Sequence, residues 1–134
     1  MSQARPVNER VRVVLVEDSQ IFRDTLELLL ALRPELEVVA SVASGGEAVD
    51  TCRRLGPDVV IVDYRMPGLN GAQTTAAVLE ASPASRVVCL TASISRVERE
   101  EILAAGAYAC VMKDDELDEI VTAIHAAAAR APLA

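Results

Sequence analysis

The chain has 134 residues, 51% of them hydrophobic, which is enough for one buried core and short for two domains. With no Trp, one Phe and two Tyr, that core must be aliphatic. The net charge of -7 excludes a chain that grips a nucleic-acid backbone by itself, since that grip needs clustered Lys and Arg, and no uncharged apolar run reaches bilayer length.

Residues 1–9 are polar and lack the apolar stretch of a signal peptide, so they read as a flexible tail on a soluble, cytoplasmic protein. "VRVVLV" at 11–16 predicts a first strand, followed by Glu17 and Asp18. Residues 20–33 predict a helix with Phe22, Leu26, Leu29 and Leu30 on one face. A second strand is predicted at 37–42, and "SGGE" at 44–47 reads as a capping box opening the second helix. The third strand, 58–63, ends on Asp63, and Pro67, Gly68, Asn70 and Gly71 turn the chain away behind it. A helix is predicted over 71–80, then a strand over 86–91 ending in Thr91. The fourth helix begins near Ser95, carries a solvated face in "RVEREE" at 96–101, and has Gly106 as its left-handed terminator. A fifth strand at 107–112 leads into Lys113, the sole lysine beside twelve arginines. The last helix places Leu117, Ile120, Val121 and Ile124 on one face. The domain is therefore expected at 10–130, with 131–134 a tail or the start of a linker.

Several of these strands are continuously apolar, as strands covered on both faces are. Strict βα alternation implies parallel strands and right-handed crossovers, so the predicted fold is a doubly wound, flavodoxin-like (βα)5 sandwich with a five-stranded sheet of order 2-1-3-4-5. Cys52, Cys89 and Cys110 lie far apart in sequence with no CxxC spacing, which suggests neither a disulfide framework nor a zinc site.

In open α/β sheets ligands bind beyond the carboxyl ends of the strands, near the point where strand order reverses. Strands 1 and 3 meet at that point, so Glu17, Asp18 and Asp63 should converge, with Thr91 and Lys113 beside them. Two like charges about 4 Å apart repel by about 4 kcal/mol at an effective dielectric near 20, so the cluster calls for a cation. An all-oxygen set suits Mg2+ better than zinc or copper. The groups match phosphoryl transfer: a carboxylate nucleophile in Asp63, counter-charges in Mg2+ and Lys113, a hydroxyl donor in Thr91.

On "VDYRMPGLNG", "VED" at 16–18, "LTA" at 90–92 and "VMKDD" at 111–115, the chain resembles the receiver domains of bacterial two-component response regulators. The resemblance implies that Asp63 accepts phosphate from a sensor histidine kinase. It implies that Glu17, Asp18, Asp63 and the main-chain carbonyl of Arg65 hold Mg2+, while Thr91 and Lys113 contact the phosphoryl group. It implies a self-catalysed phosphoacceptor rather than an enzyme. One position departs: the family's aromatic switch, three residues before the lysine, is Cys110, and Tyr108 is the candidate substitute because period-2 alternation would put it on the same strand face. Arg65 and Ser93, two residues beyond Asp63 and Thr91, are expected to tune the lifetime of the acyl phosphate.

"KDDELDEIVTAI" looks like receivers attached to helix-turn-helix transcription regulators, which implies output through another domain, with pairing of two copies through a helix and strand surface. A freestanding receiver and a phosphate-independent interaction module are the alternatives. Hydrolases with an aspartyl nucleophile need a second Asp where this chain has Arg65, and the acidic first turn "EDSQIF" is no flavin phosphate cradle. His125, the only histidine, reads as a surface or packing residue.

Overall fold

The computed structural model describes residues 9–129; the tails expected at 1–9 and 131–134 lie outside the described residues, Glu9 excepted. Val11–Val16 forms β1, Gln20–Ala31 α1, Leu36–Val42 β2, Gly45–Leu55 α2 and Val59–Val62 β3. Gly71–Ala81 forms α3, Arg86–Thr91 β4, Arg96–Ala104 α4, Ala109–Met112 β5 and Leu117–Ala129 α5. Every strand pairing is parallel, in the order β2-β1-β3-β4-β5. This is the predicted doubly wound sheet, and its strand order reverses between β1 and β3.

Alternation along the strands splits the core into two layers. Val13 and Leu15 of β1, Val59 and Ile61 of β3, and Val88 and Leu90 of β4 pack with Leu26 and Leu30 of α1 and with Ile120, Val121 and Ile124 of α5. Their neighbours Val14, Val16, Val60, Val62, Val87 and Cys89 pack on the other face against Ala48 and Cys52 of α2, Val78 of α3 and Ile102 of α4. Central strands buried on both sides need the continuous apolar runs that the sequence supplies.

Several local expectations change. Leu29 is 38% exposed, because α1 centres its buried stripe on Leu26 and Leu30 and leaves Leu29 at the edge. Glu47 does not close a capping box on Ser44: the Ser44 hydroxyl accepts from the Glu47 N–H, but the Glu47 carboxylate accepts from Ala43 N and the Ser44 hydroxyl instead. A capping box does open α3, where Asn70 and Gln73 exchange hydrogen bonds, and another opens α4 between Ser95 and Glu98. As expected, α5 runs on past Ile124, to Ala129, through a run of alanines, the best helix formers.

A further difference is at β5, which begins at Ala109 rather than at 107, with Tyr108 in a bend ahead of it. The bend breaks the alternation, so Tyr108 packs on the α1/α5 face while Cys110 packs on the α2–α4 face. Tyr108 therefore does not share a face with position 110, against the expected alternation. The β4–β5 register also places Cys89 directly opposite Cys110, a proximity that their sequence separation hides.

Among the described residues no helix is long and apolar enough to cross a membrane. The loop after β3 is closed by the Gly71 N–H donating to the Tyr64 carbonyl at 2.8 Å, and a Cβ at Gly71 would lie 2.6 Å from the Tyr64 Cα. Gly71→Ala is therefore expected to destabilise by about 1–3 kcal/mol through a forced backbone shift. Gly46→Ala, where a Cβ meets nothing within 4 Å, should instead stabilise by up to about 1 kcal/mol. Urea unfolding midpoints of the two variants check the contrast.

Candidate functional site

Three of the expected residues sit just past strand ends on the α1/α5 side of the sheet. Glu17 follows β1, Asp63 follows β3 and Lys113 follows β5, each two residues beyond an apolar side chain of that layer: Leu15, Ile61 and Val111. Parity alone aims all three the same way. The backbone pins the rim where they emerge: Asp63 N donates to the Val16 carbonyl at 3.1 Å, Glu17 N to Val42 at 3.0 Å, and Lys113 N to Thr91 at 2.9 Å.

Lys113 reaches over the end of β4 to bridge the two acids. Its Nζ lies 2.5 Å from Glu17 Oε1 and 3.1 Å from Asp63 Oδ2. Both carboxylates are buried, Glu17 to 5% exposure and Asp63 to 6%. Asp18 is exposed at the mouth, and ligand oxygens of Glu17, Asp18 and Asp63 all lie within 4.8 Å of one another. The predicted convergence is thus observed, with three carboxylates gathered and an ammonium bridging two of them.

The remaining bonds hold this group in place. The other Glu17 oxygen accepts from Ser19 N at 2.9 Å, and Arg23 donates to the Glu17 carbonyl at 2.6 Å. Asp63 Oδ1 accepts from Arg65 N at 3.2 Å. Burial raises the Glu17 pKa and the Asp63 charge adds to the rise, against the lowering effect of Lys113 and Ser19. Burial alone would lower the Lys113 pKa, but its hydrogen bonds to Glu17 and Asp63, and their charges, hold it above the usual lysine range.

Phe22 is a site residue that the sequence reading assigned only to packing. Its ring centroid lies 4.2 Å from Lys113 Nζ, so the ring face supports the ammonium while α1 covers the cluster. The sequence held one clue: the sole Phe of an aliphatic chain stands in the first turn after "EDS".

The other expected residues lie around this centre. Thr91 is the last residue of β4, 1% exposed, and its hydroxyl donates to the Ser93 carbonyl at 3.2 Å. Ser93 is exposed, and its hydroxyl accepts from Arg65 Nε at 3.4 Å. The Arg65 guanidinium is turned toward α4, where it forks onto Glu98 at 3.0 and 2.6 Å. That pairing raises the Arg65 pKa and lowers that of Glu98. Glu98 went unrecognised as a partner because nothing local links positions 65 and 98. His125 pairs with Glu35 at 3.3 Å, away from the cluster, as a surface residue would.

Residues 13–125 match the family model described as the response regulator receiver domain. Among curated proteins, the chain is 31% identical over 123 residues to the transcriptional regulatory protein DegU of Brevibacillus brevis, covering 91% of this chain and 52% of that protein. It is 35% identical over 114 residues to the transcriptional regulatory protein LnrK of Bacillus subtilis, covering 85% and 52%. The chain therefore spans about half the length of the curated relatives it matches. Among solved structures, a two-component response regulator of the LuxR family from Aurantimonas superposes with a TM-score of 0.86 at 32% identity, covering 91% of this chain and 87% of that one.

Removing the ammonium leaves two buried carboxylates uncompensated, so Lys113→Met should cost about 3 kcal/mol or more at pH 7. The Glu17 pKa, already raised, rises further without Lys113. A carboxyl whose folded pKa exceeds its unfolded value gains stability as pH falls through the folded value. The deficit of Lys113→Met should therefore narrow as the pH drops from 7 toward 5, which urea unfolding at the two pH values checks.

Proposed function

The chain belongs to the response regulator receiver domain family, and from that membership we propose that it is a phosphoacceptor switch in which Asp63 takes a phosphoryl group from a sensor histidine kinase. The observation that carries the reading is the buried Glu17–Lys113–Asp63 bridge with Asp18 at its mouth. Three carboxylates against the Lys113 ammonium and the Arg23 guanidinium still leave the rim negative, and their all-oxygen donor set fits a hard divalent cation. Glu17, Asp18, Asp63 and the Arg65 carbonyl would hold Mg2+. Bound there, the ion would neutralise charge on the phosphoryl oxygens.

The chain's own residues supply the remaining roles. An Asp63 carboxylate oxygen attacks phosphorus, the P–N bond to the donor imidazole breaks, and its electron pair returns to that ring. Lys113 exchanges part of its contact with Asp63 for a phosphoryl oxygen. Thr91, held only by a 3.2 Å hydrogen bond to Ser93, turns its hydroxyl to the product. The domain so defined is residues 10–130, a phosphoacceptor rather than an enzyme acting on a separate substrate. Control of transcription follows the relatives' names, and the same reading puts the domain in the cytoplasm.

The outer face of α1 leaves Ile21, Leu28 and Leu32 more than 70% exposed, an apolar surface suited to a protein partner such as the kinase or a second copy. With a net charge of -7, the domain itself makes no direct contact with nucleic acid in this reading.

A second reading, an interaction module that works without phosphate, draws on one observation: position 110 is Cys, and Tyr108 packs on the opposite face. Mg2+ binding separates the two, because only the switch requires it.

Acetyl phosphate with Mg2+ should add one phosphoryl group to the native chain by intact mass and none to Asp63→Asn. A native chain that gains nothing overturns the switch. Arg65, two residues beyond Asp63 and forked onto Glu98 beside Ser93, is a bulky cation flanking the site that would shield the acyl phosphate, so Arg65→Asn should shorten the half-life of the phosphorylated form. Equal half-lives would remove that role from Arg65.

A further inference from the structure

Cys89 and Cys110 stand directly opposite each other in the β4–β5 register. Both side chains point to the α2–α4 layer, Cys89 fully buried within it and Cys110 half-buried against it. Neighbouring strands lie about 4.8 Å apart. That separation is inside the range of roughly 4.4–6.8 Å that disulfide-linked Cα atoms span. The Cβ atoms of a disulfide lie roughly 3.5–4.5 Å apart, so closing the bond asks the two strands for only a small local approach.

The two thiols are unequal. Hydrogen bonding with Cys89 brings the Cys110 thiol down to about 7, and the positive Arg99 of α4 acts in the same direction against the effect of burial. That hydrogen bond, together with burial, pushes the Cys89 thiol up. A thiolate at the more open position beside a retained thiol at the closed one is the pairing of an attacking sulfur with a resolving one.

We propose that Cys89 and Cys110 form a redox pair that a hydroperoxide converts into an intramolecular disulfide between β4 and β5. The Cys110 thiolate attacks a peroxide oxygen; the O–O bond breaks, leaving Cys110 as a sulfenic acid and, with a proton, one water from hydrogen peroxide. The Cys89 sulfur then attacks the Cys110 sulfur, the S–O bond breaks, and hydroxide leaves with the Cys89 proton as a second water. Two thiols and one peroxide become one disulfide and two waters.

The linkage has a consequence set by its place. Thr91 lies two residues beyond Cys89 on the same face, and its register partner Met112 lies two beyond Cys110. The disulfide would staple the sheet one alternation below Thr91 and fill the position where the family carries its aromatic switch. The pair stands whether or not Asp63 accepts phosphate.

The test uses the native chain, fully reduced, then exposed to equimolar hydrogen peroxide, alkylated and digested with trypsin. Cleavage after Arg86, Arg96, Arg99 and Lys113 separates the thiols into peptides 87–96 and 100–113. The expected result is these two peptides joined and short of two hydrogens, Cys52 alkylated, and the link reversed by dithiothreitol. Both peptides alkylated after oxidation, a link through Cys52, or a link only between chains would each overturn the proposal. In Cys89→Ala, dimedone should trap a sulfenic acid on Cys110; an unmodified Cys110 would overturn its role as the attacking sulfur. Should that variant not fold, the native peptide map decides the pair by itself.

Discussion

The Lys113 ammonium, 2.5 Å from Glu17 and 3.1 Å from Asp63, is the interaction on which the rest of this site depends. Two carboxylates can be buried at the head of an apolar sheet only if something compensates their lost hydration, and an ion pair does so only when its geometry is good. Here the geometry comes from three strand ends of equal parity, with the Phe22 ring behind the ammonium. Lys113 and the Arg23 guanidinium against three acids leave the rim short of positive charge. A buried cluster that is still under-neutralised is suited to receive something charged rather than simply to hold the fold together.

The fold brings this about through alternation. Each of β1, β3 and β4 sends one set of side chains to α1 and α5 and the other to α2, α3 and α4, so a residue's parity decides which layer it joins. Glu17 and Asp63 follow the odd residues of β1 and β3, and Lys113 follows Val111 of β5, out of the α1/α5 layer; on β4 the odd residues face the other way, so Cys89 and Thr91 belong to the α2–α4 side. The acid site and the thiol pair thus lie on opposite sides of one sheet, with Cys110 only three residues before Lys113. The bend at Tyr108 is where parity fails, and it separates the tyrosine from Cys110.

Family membership accounts for the acidic centre but not for everything around it. The Arg65–Glu98 fork ties the loop after β3 to the first turn of α4, where Glu98 also caps the helix by accepting from Ser95 N. A single carboxylate there serves the helix end and the guanidinium together. That coupling links the chain beside Asp63 to a helix on the opposite layer.

The sequence by itself determined the element order, the parallel sheet and the acids at its rim, because apolar runs, caps and turn residues act over a few positions and a strand's last residue is visible locally. It also showed Lys113 as exceptional, one lysine among twelve arginines. Tertiary structure alone decided which distant positions meet: Phe22 under Lys113, Arg65 on Glu98, Cys89 opposite Cys110. Those contacts depend on strand register, on a one-residue bend at 108 and on how far each helix rotates toward the sheet, and none of these leaves a periodic mark in the chain. Leu29 and Glu47 departed from their patterns for the same reason, since a helical stripe has edges and a carboxylate takes whichever donor the packed backbone presents.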